Sequence, residues 1–303
     1  MITFSHLGDP TWGRLGNQLF QIAATIGIAE KNGQDYVFPE WKYAGCFQHQ
    51  LPYLTLPGAS SYYQQRSHYY QVLLPEGNWD LFGFFQSEKF FLNVEAQVRR
   101  YFEPSAEIEA YIQERYGAVL AGNTCSIHVR RGDYLKLRYS FPPQSLRYYQ
   151  KAMSLFDKQT KFLVFSDDIE WCKTNFKGTQ FYFVEGERDI TDLFLMSRCQ
   201  HHILSNSSFS WWGAWLNKSA QKRVICPEHW FGPETSINPD KVSKDIYASN
   251  FERLRMSESP LAGVNYRIYA FTIFVYRAVY NWTMKCLRAV WKPIKKIIYR
   301  PDH

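Results

Sequence analysis

The sequence predicts an α/β fold in which parallel strands alternate with helices. An Ala/Ile/Leu-rich helical stretch opens the chain and passes, at a glycine, into an apolar run. From Gly117 onward, short β-branched and aromatic runs alternate with helical patterns, the signature of a parallel sheet wrapped on both faces. No internal repeat or low-complexity tract interrupts this pattern. At 303 residues the chain is long enough for two cores of ordinary size.

In chain order, Gly16 to Gly33 (GNQLFQIAATIGIAEKNG) reads as a helix that stops at its glycine, and Tyr36-Val37-Phe38 as the strand that follows. Residues Pro39 to Trp79 read as loop-rich and aromatic, and a helical pattern returns from Ser87 to Tyr116. Beyond Gly117 the segments CSIHVR, KFLVFS, QFYFVE, HHILS and RVICP read as strands. Gln144 to Phe156, Ile169 to Phe176, Asp189 to Cys199 and Phe209 to Asn217 read as helices between them. Ligands of such sheets bind at the carboxyl ends of the strands.

Aromatic residues make up 18% of the chain, with 10 Trp and 21 Tyr. That suits flat ligands such as sugar rings or bases, and equally an aromatic core. The net charge of +7 is localised. From Val264 onward stand Arg267, Arg277, Lys285, Arg288, Lys292, Lys295, Lys296 and Arg300 against the single acid Asp302, which accounts for the whole excess. Residues 1–263 are therefore neutral, whereas a nucleic-acid binder carries its basic footprint on the folded domain, so no nucleic-acid partner is expected.

On a helical wheel the tail's bases fall within about 140° of arc, with Val279, Tyr280, Leu287, Val290, Trp291, Ile294, Ile297 and Ile298 opposite. This reads as a basic amphipathic helix over 264–303, broken near Pro293. Its longest charge-free run, Ile268 to Tyr276, falls far short of the roughly 20 residues that span a bilayer. The tail is expected on an anionic membrane surface or, alternatively, docked on the protein's own core. The opening MITFSHLGDPTWGRLGNQLF has no charged leader followed by a long apolar core, so a cytoplasmic protein, peripheral to the inner face of the membrane, is expected. The six cysteines are scattered without C-x-x-C spacing and read as reduced thiols.

Three constellations carry chemistry. In His128-Val129-Arg130-Arg131-Gly132-Asp133-Tyr134, two arginines stand where a strand ends, and guanidinium forks there suit phosphate oxygens. The same residues could form a surface ion-pair cluster in which Asp133 serves only to pair an arginine. In Leu204 to Gly213 (LSNSSFSWWG), small hydroxyl residues lead from a strand into a helix whose N–H groups, with Ser207 and Ser208, suit an anion or an ordinary cap. In Gly13-Arg14-Leu15-Gly16-Asn17-Gln18, two glycines let the backbone approach a ligand, and Asn17 and Gln18 offer donors. No D-x-D triplet, H-E-x-x-H or Cys/His ligand spacing appears, and Asp167 and Asp168 are adjacent, so no metal is expected. If the leaving group is a diphosphate, an arginine must do the work of a metal ion.

Together GRLGNQLFQ, HVRRGDY, VFSDD at Val164 to Asp168, and DLFLMS leading into SNSSFSWWGAW resemble the bacterial members of glycosyltransferase family 11, the α-1,2-fucosyltransferases, over about residues 1–230. The resemblance implies a GT-B-like architecture, with two Rossmann-like α/β domains facing a cleft: an acceptor-side domain over 1–120 and a GDP-fucose-binding domain over 121–263, followed by the tail. It implies inverting transfer of L-fucose from GDP-β-L-fucose to the 2-hydroxyl of a galactose-containing glycan, as in polysaccharide and O-antigen biosynthesis, without a cofactor. By the same resemblance Arg130 contacts the diphosphate, His128 and Asp192 approach the guanosine, Ser207 and Ser208 hold phosphate oxygens, and Asn17, beside Gly16, reaches toward the diphosphate and fucose. Arg131 and Asp133 share the motif, one to touch ligand or to orient Arg130, with Asp133 one candidate for the base. The alternatives are a fucosyltransferase of another linkage, such as α-1,6 on N-acetylglucosamine, and a non-catalytic glycan-binding protein.

Overall fold

Strand β1 (Ile2–Thr3) leads through a 3₁₀ turn at Pro10–Trp12 into helix α1 (Leu15–Lys31), which returns to β2 (Tyr36–Val37). This computed structural model describes residues 1–53, 61–64, 68–232 and 243–256, with isolated helical positions between 271 and 286. The amphipathic tail expected over 264–303 lies outside the described residues, those isolated positions apart. Strands β3 (Ser61–Gln64) and β4 (Trp79–Phe82) complete a four-stranded sheet of order β2-β1-β4-β3, parallel throughout. The stretch expected to be loop-rich thus supplies β3 and runs into β4.

The single helix expected over 87–116 is divided. Two 3₁₀ turns at Glu88–Phe90 and Leu92–Val94 precede α2 (Glu95–Tyr101) and α3 (Ala106–Leu120). Pro104 cannot donate a helical hydrogen bond, and Ser105 restarts the chain as the cap of α3, its Oγ accepting from the Ile108 N–H at 3.4 Å.

The remaining described elements are β5 (Thr124–Val129), α4 (Leu146–Met153), β6 (Lys161–Ser166), α5 (Ile169–Asn175), β7 (Phe181–Phe183), α6 (Asp189–Arg198), β8 (His201–Ile203), α7 (Ser208–Leu216), β9 (Val224–Pro227) and β10 (Phe251–Leu254). The six strands form a second parallel sheet of order β10-β9-β8-β5-β6-β7. The chain builds outward from β5 to β7, then returns to the other side of β5 as β8, so the order reverses between β5 and β8. In the first sheet β4 returns beside β1 in the same way. Crevices at such reversals, outside the carboxyl ends of the strands, are where α/β sheets bind ligands.

Helix α1 buries 14 of its 17 residues. A helix apolar all round must lie inside the molecule. Phe20 packs against Trp211 and Trp212 of α7, with ring centres 4.5 and 4.9 Å away. One hydrophobic cluster therefore runs from Ile2 and Phe4 through α1 to the tryptophans of α7 and on to Phe251. A second, around Ile127, Tyr148, Tyr149 and Val164, covers the other face of the six-stranded sheet.

Gly27 sits where α1 crosses the Glu88–Val94 segment. A Cβ there would lie 2.1 Å from the Phe90 carbonyl oxygen and 2.7 Å from Phe91 Cα, backbone atoms that cannot rotate away. Gly27→Ala is expected to destabilise by about 1–3 kcal/mol. Thermal unfolding should show this as a midpoint lowered by about 2–4 °C per kcal/mol, and an unchanged midpoint would contradict this packing.

Candidate active site

A cleft of about 1380 Å³ lies between the two sheets, walled on one side by residues 10–17 and 83–87 and on the other by the loops after β5 and β8. These are the chain segments that leave the strands at the two reversals of strand order.

Side chains alternate along a strand, so His128 and Arg130 share a side at the end of β5. His128 is buried, with its Nδ1 2.8 Å from Ser205 Oγ and its ring 5.5 Å from that of Phe209. Burial first, and then the Arg130 cation, hold its pKa down to about 3, so the imidazole is neutral at working pH. The register that sets Val129 against Ser166 brings Asp167 beside Arg130. Arg130 donates through Nη2 to Asp133 Oδ1 at 2.6 Å and meets Asp167 Oδ2 through Nη1 at 3.1 Å, with its guanidinium 5.4 Å from the Tyr134 ring centre. The Tyr134 hydroxyl donates to the Asn206 carbonyl at 3.1 Å, tying the loop after β5 to the loop after β8.

Arg131 requires a correction. It is expected to touch ligand or to orient Arg130, but its Nε donates to Asp168 Oδ2 at 3.0 Å and its guanidinium stacks over Trp171 at 4.2 Å, outside the cleft lining. The same alternation that turns Arg130 inward turns its neighbour outward. Asp133 also reads differently as a base: it is held by Arg130 at 2.6 Å and lies 3.7 Å from Arg14. Two cations thus share this one carboxylate. Asp167 faces the cleft, and Asp168 caps α5, accepting from the Trp171 N–H at 3.3 Å.

On the facing loop Ser207 is the N-cap of α7, its Oγ accepting from the Phe209 N–H at 3.3 Å, and Ser208 opens the helix. Both line the cleft. The opposite end of α7 is closed by Lys222, which donates to the carbonyls of Ala214 and Asn217 at 2.9 and 2.6 Å, and by Arg99, which donates to that of Trp215 at 2.9 Å. Cations at that end and anions at the other both favour the helix dipole.

From the first wall, Asn17 faces the cleft and its Oδ1 accepts from Gln86 Nε2 at 2.8 Å. Gly16 lines the cleft too, but what excludes a side chain there is α7: a Cβ would lie 2.5 Å from Phe209 N and 2.6 Å from the Ser208 carbonyl carbon. Gln18 points inward, donating to the Gly13 carbonyl at 3.1 Å and accepting from Trp41 Nε1 at 2.8 Å. Gly13 adopts φ +111° and leaves room for the Asn17 side chain.

Asp192, on the first turn of α6, lines the cleft with its Oδ1 buried and without a hydrogen-bond partner. Burial, reinforced by Glu187 and Asp189, pushes its pKa up to about 7. Sequence reasoning did not single out Asp189, three residues earlier on the same helix face, which also lines the cleft and accepts from the Tyr43 hydroxyl. Spacing alone could have found it. Gln86 and Phe84 belong to no motif and were missed for that reason. Among the described residues no group of three or more His, Cys, Asp or Glu side chains is placed to hold a metal ion, and no helix is long and apolar enough to cross a membrane.

The profile described as "Glycosyl transferase family 11" matches residues 12–232, which take in both walls of this cleft. The chain belongs to glycosyl transferase family 11. Within the family, an "Alpha-1,2-colitosyltransferase" of Escherichia coli is 36% identical over 171 residues, 52% of this chain and 58% of that protein. The "O-antigen biosynthesis glycosyltransferase WbnK" of Escherichia coli is 38% identical over 138 residues, 41% of this chain and 44% of that one. The alignments thus span about half the length of these curated relatives. The human "Galactoside alpha-(1,2)-fucosyltransferase 1" is 29% identical over 232 residues, 67% of this chain and 63% of its own. Among solved structures, fucosyltransferase NodZ from Bradyrhizobium shares 17% identity at a TM-score of 0.47, covering 66% of this chain and 89% of that one. At that TM-score the fold of this family 11 chain is read from its own two sheets.

The raised pKa of Asp192 has a thermodynamic consequence. The folded state keeps its proton up to about pH 7, whereas the unfolded chain releases it near 3.8. The stability this group contributes is therefore complete below the unfolded value and is lost as pH rises through the folded one. Asp192→Asn removes the dependence. Its thermal midpoint should climb relative to wild type between about pH 4 and pH 7 and level off above that range, and parallel curves would refute the assignment.

Proposed function

We propose that this family 11 chain is an inverting α-1,2-fucosyltransferase that moves L-fucose from GDP-β-L-fucose to the 2-hydroxyl of a terminal galactoside. The observation that carries the reading is Arg130, fixed by Asp133 and Asp167 opposite the hydroxyl-bearing start of α7 within one cleft. In this reading the acceptor oxygen attacks the anomeric carbon from the face opposite the diphosphate. The bond from that carbon to the phosphate oxygen breaks, the acceptor proton passes to a base, and GDP departs with an added negative charge.

Arg130, Ser207, Ser208 and the N–H groups of α7 meet that charge without a metal ion. Donors already in place stabilise a charge that grows only in the transition state. The guanosine lies toward His128 and Asp192: Asp192, on giving up the proton that its burial favours, accepts from the base's N–H groups, and neutral His128 adds no competing cation. Asn17 reaches across from the first wall. Residues 1–120 form the acceptor side and 121–263 the donor side of a GT-B-like pair. The names of the relatives support an α-1,2 linkage and leave two sugars in play, so GDP-fucose and GDP-colitose are both to be assayed.

A hydrogen bond to a charged group contributes about 1.5–3 kcal/mol, which corresponds to roughly ten- to 150-fold in rate when felt in the transition state. Arg130→Ala is accordingly expected to lower turnover at least about ten-fold and to weaken GDP binding, while excess EDTA leaves the wild-type rate unchanged. Linkage analysis of the product separates α-1,2 from α-1,6. Unaltered turnover and GDP affinity in Arg130→Ala, or loss of activity in EDTA, would overturn this reading.

We further propose that the tail holds the enzyme at the inner face of a membrane, where it meets a lipid-linked acceptor at raised effective concentration. This part rests on charge placement alone: eight bases along one stripe of residues 264–303. Co-sedimentation with anionic vesicles should fall sharply when residues 264–303 are deleted and when salt is raised. Equal partition of the full and shortened chains would sink the membrane proposal and leave the catalytic one standing.

A further inference from the structure

The two walls of the cleft differ in chemistry. The wall formed by the second sheet carries Arg130, Asp133, Asp167, Asp189 and Asp192, whereas residues 10–17 and 83–87 contribute one charge, Arg14, which is directed to Asp133; the remaining charged side chain of the lining, Asp245, is paired with Lys89. The rest of that first wall is aromatic, amide and hydroxyl. Phe84 is 43% exposed, and Trp12, its ring centre 6.2 Å away at 47°, is partly exposed beside it.

This exposure is built into the backbone. Gly83 takes φ +138°, and Phe85 takes φ +48°, the one positive φ of a non-glycine among the described residues. Phe85 itself is fully buried against Phe4 and Phe90, at 6.3 and 5.2 Å. A bulky residue is held in this disfavoured region only where its surroundings over-determine it, and such strain collects at ligand sites. Its effect is to anchor Phe85 in the core while Phe84 turns out into the cleft. The next residue, Gln86, holds Asn17 by a 2.8 Å hydrogen bond. Trp12 is fixed in turn by Phe82 at 5.6 Å and His6 at 5.9 Å.

Resting on the donor reading above, we propose that Trp12 and Phe84 are the acceptor platform: the apolar face of an uncharged pyranose lies on these rings, with its hydroxyl edge toward Gln86 and Asn17. An aromatic surface flanked by amides suits a neutral sugar, which offers one C–H face and a rim of hydroxyls. A charged acceptor would need a free counter-charge, and among the described residues here Arg14 already faces Asp133 and Asp245 is paired with Lys89. The placement also separates the substrates, with the charged donor on the charged wall and the neutral acceptor on the aromatic one.

The test uses the full chain, lactose as acceptor probe and GDP as donor probe, each titrated alone and then in turnover. Phe84→Ala and Trp12→Ala should each weaken lactose binding about three- to ten-fold and raise its KM in step, while GDP affinity stays within about two-fold of wild type. Phe84→Tyr, which keeps the ring, should restore lactose binding. Trp12→Phe keeps the contacts to Phe82 and His6 and carries the test should Trp12→Ala fail to fold. Unchanged lactose affinity in Phe84→Ala and in Trp12→Ala (or in Trp12→Phe where the alanine variant does not fold), or no lactose binding by the wild type, overturns the platform. A wild type that binds lactose but not GDP overturns the donor reading instead, and the lactose titrations then still decide the platform.

Discussion

The cleft exists because α1 and α7 approach more closely than side chains would permit. Gly16, on the first turn of α1, lies against the backbone of Ser208 and Phe209 on the first turn of α7. One turn further on, Phe20 fills the space between Trp211 and Trp212. The starts of the two helices are therefore brought to the same point, and with them the loops that leave the first sheet and the second. The sequence devotes much of its aromatic content to this junction: Phe91 stacks on Trp212 at 5.4 Å, and Phe102 meets the same ring edge-on at 5.3 Å. Fully burying one such side chain stabilises by roughly 1.5–3 kcal/mol, so a cluster this size can hold two sheets in fixed relation across the cleft.

Electrostatics refine what packing assembles. Arg14, Arg130 and Arg131 stand against Asp133, Asp167 and Asp168, three cations and three anions in direct pairs. The region is consequently close to neutral, and attraction of a diphosphate cannot rest on a surplus of positive charge. What it offers is orientation. Arg130 is locked by contacts at two of its nitrogens, a guanidinium has further N–H groups to donate, and the helix start facing it supplies donors that carry no formal charge. Lys222 and Arg99 at the far end of α7 place their charge where the carbonyls accumulate and leave the cleft end free for an anion.

The second sheet was legible in the sequence, since β5, β6, β8 and β9 are runs of β-branched and aromatic residues separated by capped helices. Asp168, Ser145 and Ser207 each cap the helix that follows. The first sheet was harder to read. β1 and β2 are two residues each, too short to show a period, and β3 and β4 lie in a stretch whose aromatic content resembles a loop. The arginine pair shows what alternation adds to a motif: Arg130 and Arg131 are consecutive at a strand end, so one faces the cleft and the other stacks on Trp171. By contrast, nothing local in the sequence signals that Phe84 is exposed and Phe85 buried. That inversion depends on core contacts made by Phe4 and Phe90, distant in the chain.

Both sheets reverse their strand order at the same cleft, β1 beside β4 and β5 beside β8. Each reversal opens a crevice, and a molecule that must bring two substrates together gains from having two. The glycines and serines at the helix starts let the backbone come close on one side, and the strained Gly83 to Phe85 corner turns an aromatic ring inward on the other. On the function proposed above, a single-wall site would have to satisfy a charged leaving group and a neutral nucleophile with the same residues. The charged side chains gather mainly on the wall of the second sheet, while residues 10–17 and 83–87 are mostly aromatic, amide and hydroxyl. The α1–α7 contact fixes the distance between them.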